Sequence, residues 1–189
     1  MNTLMTGRAG IMGLAFGVSL IAVSAVAFAQ GQPAPASSDA DYVAKMMTAA
    51  PQPIVKGATI VAMDKAGAMR TIQKGTNDYT CMALGDGTPM CTDKNGWEWM
   101  TALMTKKAPP NKIGFMYMLA GDSGASNTDP FAAAATPQNH WVKTAAHVMI
   151  LGPSSAKALG YPRTADADPT KPYVMWADTP YEHVMIPIK

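Results

Sequence analysis

Charge is scarce in this sequence and neither sign is in excess: 15 Lys and Arg stand against 13 Asp and Glu in 189 residues. Basic residues are scattered, with Lys106 and Lys107 the one adjacent pair. Nucleic acid and anionic membrane surfaces are met by a basic patch or stripe, and its absence removes both from the expected partners. Cysteine is limited to Cys81 and Cys91 and histidine to three residues, so at most one internal bridge can form. Beyond residue 30 no apolar run reaches the roughly 18 residues that would make a membrane-spanning helix.

The long apolar run that does occur is at the start. Arg8 supplies a positive beginning, the stretch from Ile11 to Ala27 is apolar, and Ala27-Phe28-Ala29 fits the small-x-small rule for cleavage before Gln30. The expectation is a cleaved signal peptide over 1–29, a flexible leader rich in Pro, Ala and Ser over 30–38, and a single domain over 39–189 that is periplasmic or secreted. No Cys stands at the cleavage point, so no lipid anchor is expected there. In an oxidising compartment Cys81 and Cys91 should close a disulfide around the turn residues Gly85, Gly87 and Pro89. A metal site or a catalytic thiol would instead need both thiols kept reduced.

Apolar spacing predicts strands at 58–63 and 69–73 around Asp64-Lys-Ala-Gly67, a short strand at 79–82, and strands at 112–119, 146–151, 173–177 and 183–186. Ser38 or Asp39 can cap a helix through Asp41 to Met47 that stops before Pro51. Thr92 or Asp93 can cap the principal helix, with Trp97, Met100, Leu103 and Met104 on its buried face, Trp99 at the edge, and Pro109-Pro110 as its stop. Pro153 to Leu159 reads as a two-turn helix ended by Gly160. The fold class expected is α+β: a single domain with a mainly antiparallel sheet of five to seven short strands and one principal packed helix. The disulfide is expected to staple sheet to helix.

The stretch from Lys112 to Gly152 carries most of the chemistry: an apolar strand, a polar loop from Ala120 to Ala145, and a second apolar strand. A loop of that length is functional or mobile. Its side chains Asp122, Ser126, Asn127, Asp129, His140 and Trp141 are the candidate contacts for a small ligand or protein partner, and a non-enzymatic binding module is the leading reading. Ser126-Asn-Thr-Asp-Pro130 offers oxygens to a hard cation but lacks the spaced acids of an EF-hand, and Asx-turn chemistry explains it equally.

A second constellation is an echo, His147-Val-Met-Ile150 and His183-Val-Met-Ile186. On paired strands His147, Met149, His183 and Met185 would share a face, and imidazole with thioether selects copper, Cu(I) above all. Methionine is also the common filler of irregular cores, which is the plainer explanation. His140 is a possible third imidazole donor. A third constellation, Gly121-Asp-Ser-Gly124 with Thr144-Ala-Ala-His147, resembles the nucleophile and histidine motifs of trypsin-like serine proteases. The order is reversed relative to that family, and the chain is too small for its two barrels. A hydrolase using Ser123 and His147 is therefore the third reading.

Lys74-Gly-Thr-Asn-Asp-Tyr-Thr-Cys81, Pro89-Met-Cys91, Trp97-Glu-Trp-Met100, Tyr117-Met-Leu-Ala-Gly-Asp122, Ser126-Asn-Thr-Asp-Pro130, Pro172-Tyr-Val-Met-Trp176 and Thr179-Pro-Tyr-Glu-His183 together resemble a group of small exported bacterial proteins with no assigned activity. The resemblance implies export and one domain, and it implies no chemistry.

Overall fold

Strand pairing in this chain sorts side chains by chemistry. The structure is a computed structural model describing residues 38–188; the signal peptide expected over 1–29 and the leader up to residue 37 lie outside the described residues. The fold is α+β, built on a mostly antiparallel sheet. Its strands in chain order are β1 (Thr59–Met63), β2 (Met69–Gln73), β3 (Thr80–Ala83), β4 (Pro89–Thr92), β5 (Gly114–Met118), β8 (His147–Leu151), β9 (Tyr173–Met175) and β10 (His183–Pro187). The spatial order is β2-β1-β3-β4-β5-β8-β10-β9, and β1 with β3 is its parallel pair. A separate two-stranded ladder joins β6 (Ala125–Ser126) to β7 (Trp141–Val142).

The main sheet thus has eight strands where five to seven were expected. The additional strand is β4, which lies between the cysteine turn and the helix cap. It begins with Pro89, is four residues long and is buried at every position, so no alternation betrays it in the sequence. Cys81 lies directly opposite Cys91 across β3 and β4, and the two are joined as a disulfide. The bridge therefore fastens neighbouring strands rather than sheet to helix.

One face of the sheet is covered by α1 (Asp39–Met46) and α2 (Gln52–Val55) at one end and by α4 (Pro153–Leu159) at the other. Ser38 closes a capping box with Asp41 and starts α1. The α2 turn occupies Gln52 to Val55, where prolines were expected to forbid helix. Pro53 sits within its first two positions, where the missing N–H has no partner to lose.

The opposite face is rich in sulfur. Registers place Met63 against Met69, Met82 against Met90, Met116 and Met185 each against Met149, Met118 against His147, and Met175 against His183. Thr92 against Met116 carries the same face from β4 to β5. Above it lies α3 (Lys94–Met104), N-capped by Asp93, whose carboxylate accepts from the Gly96 N–H at 2.7 Å. Eleven of the thirteen methionines of the described residues lie on this side, nine on strands and two, Met100 and Met104, on α3; the other two are Met46 and Met47.

The buried side of α3 runs through Gly96, Trp99 and Met100. Trp99 is at its centre, 2 % exposed, and Met104 is at its margin, 38 % exposed, so these two exchange the places expected of them, while Met100 is buried and Trp97 and Leu103 pack on the core as expected. Glycine decides this rotation. A Cβ on Gly114 of β5 would stand 2.4 Å from the Gly96 nitrogen, so bare backbone meets bare backbone there and the next helical turn sets Trp99 down on the sheet.

Candidate functional site

Between α3 and the methionine face is a cavity of about 170 Å3. Its sheet side is made by Met116 and Met118 of β5, Met149 and His147 of β8, Met185 and His183 of β10 and Met175 of β9, and its roof by Trp99, Met100 and Leu103. Asp122, Gly124 and Ala125, from the first part of the central loop, form one wall. Six thioethers and two imidazoles thus line one space.

His147 is fully buried. Its Nδ1 is 2.7 Å from the Ala145 carbonyl oxygen; because a carbonyl only accepts, Nδ1 carries the proton and Nε2 the lone pair. That Nε2 has no hydrogen-bond partner. The nearest carboxylate oxygen, on Asp122, is 3.9 Å away, too far for a hydrogen bond. Burial lowers the His147 pKa and keeps the ring neutral, while burial raises that of Asp122 against the N–H groups of Thr144 and Gly124 that favour its anion. A neutral imidazole presenting a free lone pair is the form that ligates a metal.

His183 is held likewise, with Nδ1 3.0 Å from the Tyr181 carbonyl oxygen, and burial pushes its pKa down to about 4. Its ring stands edge-on to two indoles, at 5.3 Å from Trp99 and 4.9 Å from Trp176 between centroids. The indoles lie parallel at 6.1 Å. Trp176 has φ of 56°, an outlier for so bulky a residue. The Ser126 carbonyl accepts its Nε1–H at 2.7 Å and the Asn127 carbonyl its backbone N–H at 2.9 Å, and such over-determination is what sustains a strained residue.

The four residues of the His-Met echo meet only in part. β8 and β10 are neighbours, and Met149 faces Met185 directly, but the antiparallel register sets His147 against Pro187 and His183 against Leu151. The two histidines are four residues apart along the pair, roughly 13 Å at strand rise. They occupy opposite ends of one cavity rather than a shared four-donor set. His140 lies away from both, its Nδ1 2.7 Å from a carboxylate oxygen of Asp166.

Of the loop candidates, Asp122 reaches the cavity. Ser126 accepts from the Thr128 and Asp129 N–H groups and donates to the Asn139 carbonyl. Asn127 donates to the carbonyls of Thr164 and Ala165, and Asp129 accepts from the Phe131 N–H. The bonds of Ser126 and Asp129 are turn chemistry that shapes the loop, and those of Asn127 tie the loop to the 164–165 segment. Trp141 is half-buried on β7 and lies under Gly124. The Ser123 hydroxyl donates to the Asp86 carboxylate rather than to His147, and His147 Nδ1 is engaged by backbone rather than by a carboxylate.

Met116, Met118, Met175, Trp99, Met100 and Trp176 belong to the site and were not singled out as such in the sequence. The alternation of 112–119 put Met116 and Met118 on one side; only the order of strands shows that this side meets the histidines. No three His, Cys, Asp or Glu among the described residues are grouped to hold a metal ion, so any metal here would depend on sulfur. No family model, curated protein or solved structure matches this chain.

Proposed function

We propose that this protein is an exported, non-enzymatic binding protein for Cu(I), held at the His147 end of the cavity by Nε2 of His147 and the thioethers of Met118 and Met149. The observation that carries the reading is the buried, unpartnered Nε2 of a neutral imidazole lining a cavity of thioethers. A purely apolar cavity of this size needs no occupant. A free imidazole lone pair inside one gives an occupant a reason to bind, and the soft sulfurs around it select Cu(I) over Zn(II). Asp122, close to Nε2, offers the compensating negative charge. The disulfide removes both thiolates, leaving thioethers as the sulfur donors, and it suits the oxidising periplasmic or extracellular setting implied by the likeness to small exported proteins. The central loop then serves as the cavity wall rather than as a separate recognition surface.

Competition against a chromogenic Cu(I) chelator tests the reading. One Cu(I) per chain should be withdrawn with weak to moderate affinity, and His147→Ala should abolish the withdrawal. Zn(II) should compete poorly. Failure of the unaltered protein to withdraw Cu(I) would end the proposal.

A further inference from the structure

The cavity has a neighbour with the same chemistry. On the outer side of Met100 is an open groove of about 570 Å3 whose walls include Met63, Met82, Met100 and Met104. Leu84 and Met100 line both spaces. Met63 is 42 % and Met104 38 % exposed, whereas Met82 and Met100 beneath them are 3 % and 6 % exposed. The hairpin of β1 and β2 and the last turn of α3 are distant in sequence, yet each ends in a methionine at this groove. Exposed apolar residues scattered singly need no explanation. Two exposed thioethers are set over two buried ones, and one of these, Met100, is shared with the cavity that five further thioethers line.

The other approach to the cavity is fastened. Asp86 and Asp122 line both the cavity and the surface beside the central loop, and there the Ser123 hydroxyl donates to Asp86, tying the β3–β4 turn to that loop.

We propose that the groove of Met63, Met82, Met100 and Met104 is a second, solvent-open thioether site at which Cu(I) first binds and from which it passes by way of Met100 into the cavity. This rests on the cavity being a Cu(I) site. Transfer is ligand exchange: a bond from copper to the Met100 sulfur forms as one to Met63 or Met104 breaks. The thioethers are neutral throughout, so no proton moves and copper keeps its oxidation state.

The test uses the disulfide-closed protein labelled with 13C at its methionine methyls and titrated with Ag(I), a soft monovalent ion without copper's redox chemistry. Met63 and Met104 methyls should shift in fast exchange, as at a weak site, and Met118 and Met149 in slow exchange. In Met63→Leu/Met104→Leu, which keeps the apolar bulk and alters only exposed positions, the rate of Cu(I) loading from a chelator should fall about tenfold while the equilibrium affinity stays unchanged. Groove methyls that never respond, or an unaltered loading rate, would overturn the loading site and leave the cavity reading standing. Silence of groove and cavity methyls together would overturn both.

Discussion

At the scale of single residues, the state of the two buried histidines decides most. Each has Nδ1–H committed to a backbone carbonyl, which fixes the tautomer, and burial, outweighing that bond, disfavours the charged ring, so each costs stability where the unfolded chain can be protonated and the folded chain cannot. For His183 the folded pKa of about 4 lies below the unfolded value of roughly 6.5. Its contribution is therefore whole above pH 6.5 and is lost as pH falls toward 4, by roughly 3 kcal/mol in all. Urea unfolding of the metal-free protein at pH 7 and pH 4.5 should show the loss, and His183→Gln, which cannot titrate, should recover much of it. An undiminished loss in that variant would contradict the assignment.

At the scale of elements, the cavity exists because α3 is held close to β5 at Gly96 and Gly114. Gly114→Ala would drive a methyl into the Gly96 backbone, and backbone cannot yield as a side-chain tip can. The expected cost is about 2 kcal/mol in denaturant unfolding, with altered emission from Trp99 as the roof lifts; a neutral substitution would mean that α3 is not seated as described. The disulfide acts on a smaller piece. It closes a ring within one hairpin, so reduction should remove roughly 2 to 3 kcal/mol and leave the circular dichroism of the fold intact.

These elements also show what the sequence could and could not reveal. Alternation made β1, β2, β5 and β8 readable, and the echoed His-Val-Met-Ile words did fall on neighbouring strands. What periodicity cannot express is direction. When two like-ordered five-residue strands pair antiparallel, their central residues coincide and their ends separate, which brings Met149 to Met185 and sends His147 away from His183. The thioether set directly opposite His147 is instead Met118 of β5, and the adjacency of β5 to β8 is a long-range fact absent from any local window. β4 escaped notice because a strand buried throughout carries no alternating signature. The loop was legible as polar, yet Ser126 serves its own backbone and Asn127 that of Thr164 and Ala165, which composition alone does not distinguish from binding a ligand.

At the scale of the whole molecule, the sheet separates two kinds of interior. Cys81, Cys91, Met46, aliphatic residues and tyrosines pack beneath α1 and α2 on one side, and eleven of the thirteen described methionines with His147, His183, Trp99 and Trp176 lie on the other. Methionine used only as filler has no reason to prefer a face. Its concentration on the side that holds both buried imidazoles is what the proposed soft-metal site requires, with Met118 of β5 and Met149 of β8 beside His147. The most direct measurement is X-ray absorption at the copper edge of the Cu(I)-loaded protein. A first shell dominated by sulfur with one imidazole nitrogen, losing sulfur in Met118→Leu/Met149→Leu, is the expected result; a shell of nitrogen and oxygen alone, unchanged in that variant, would contradict it.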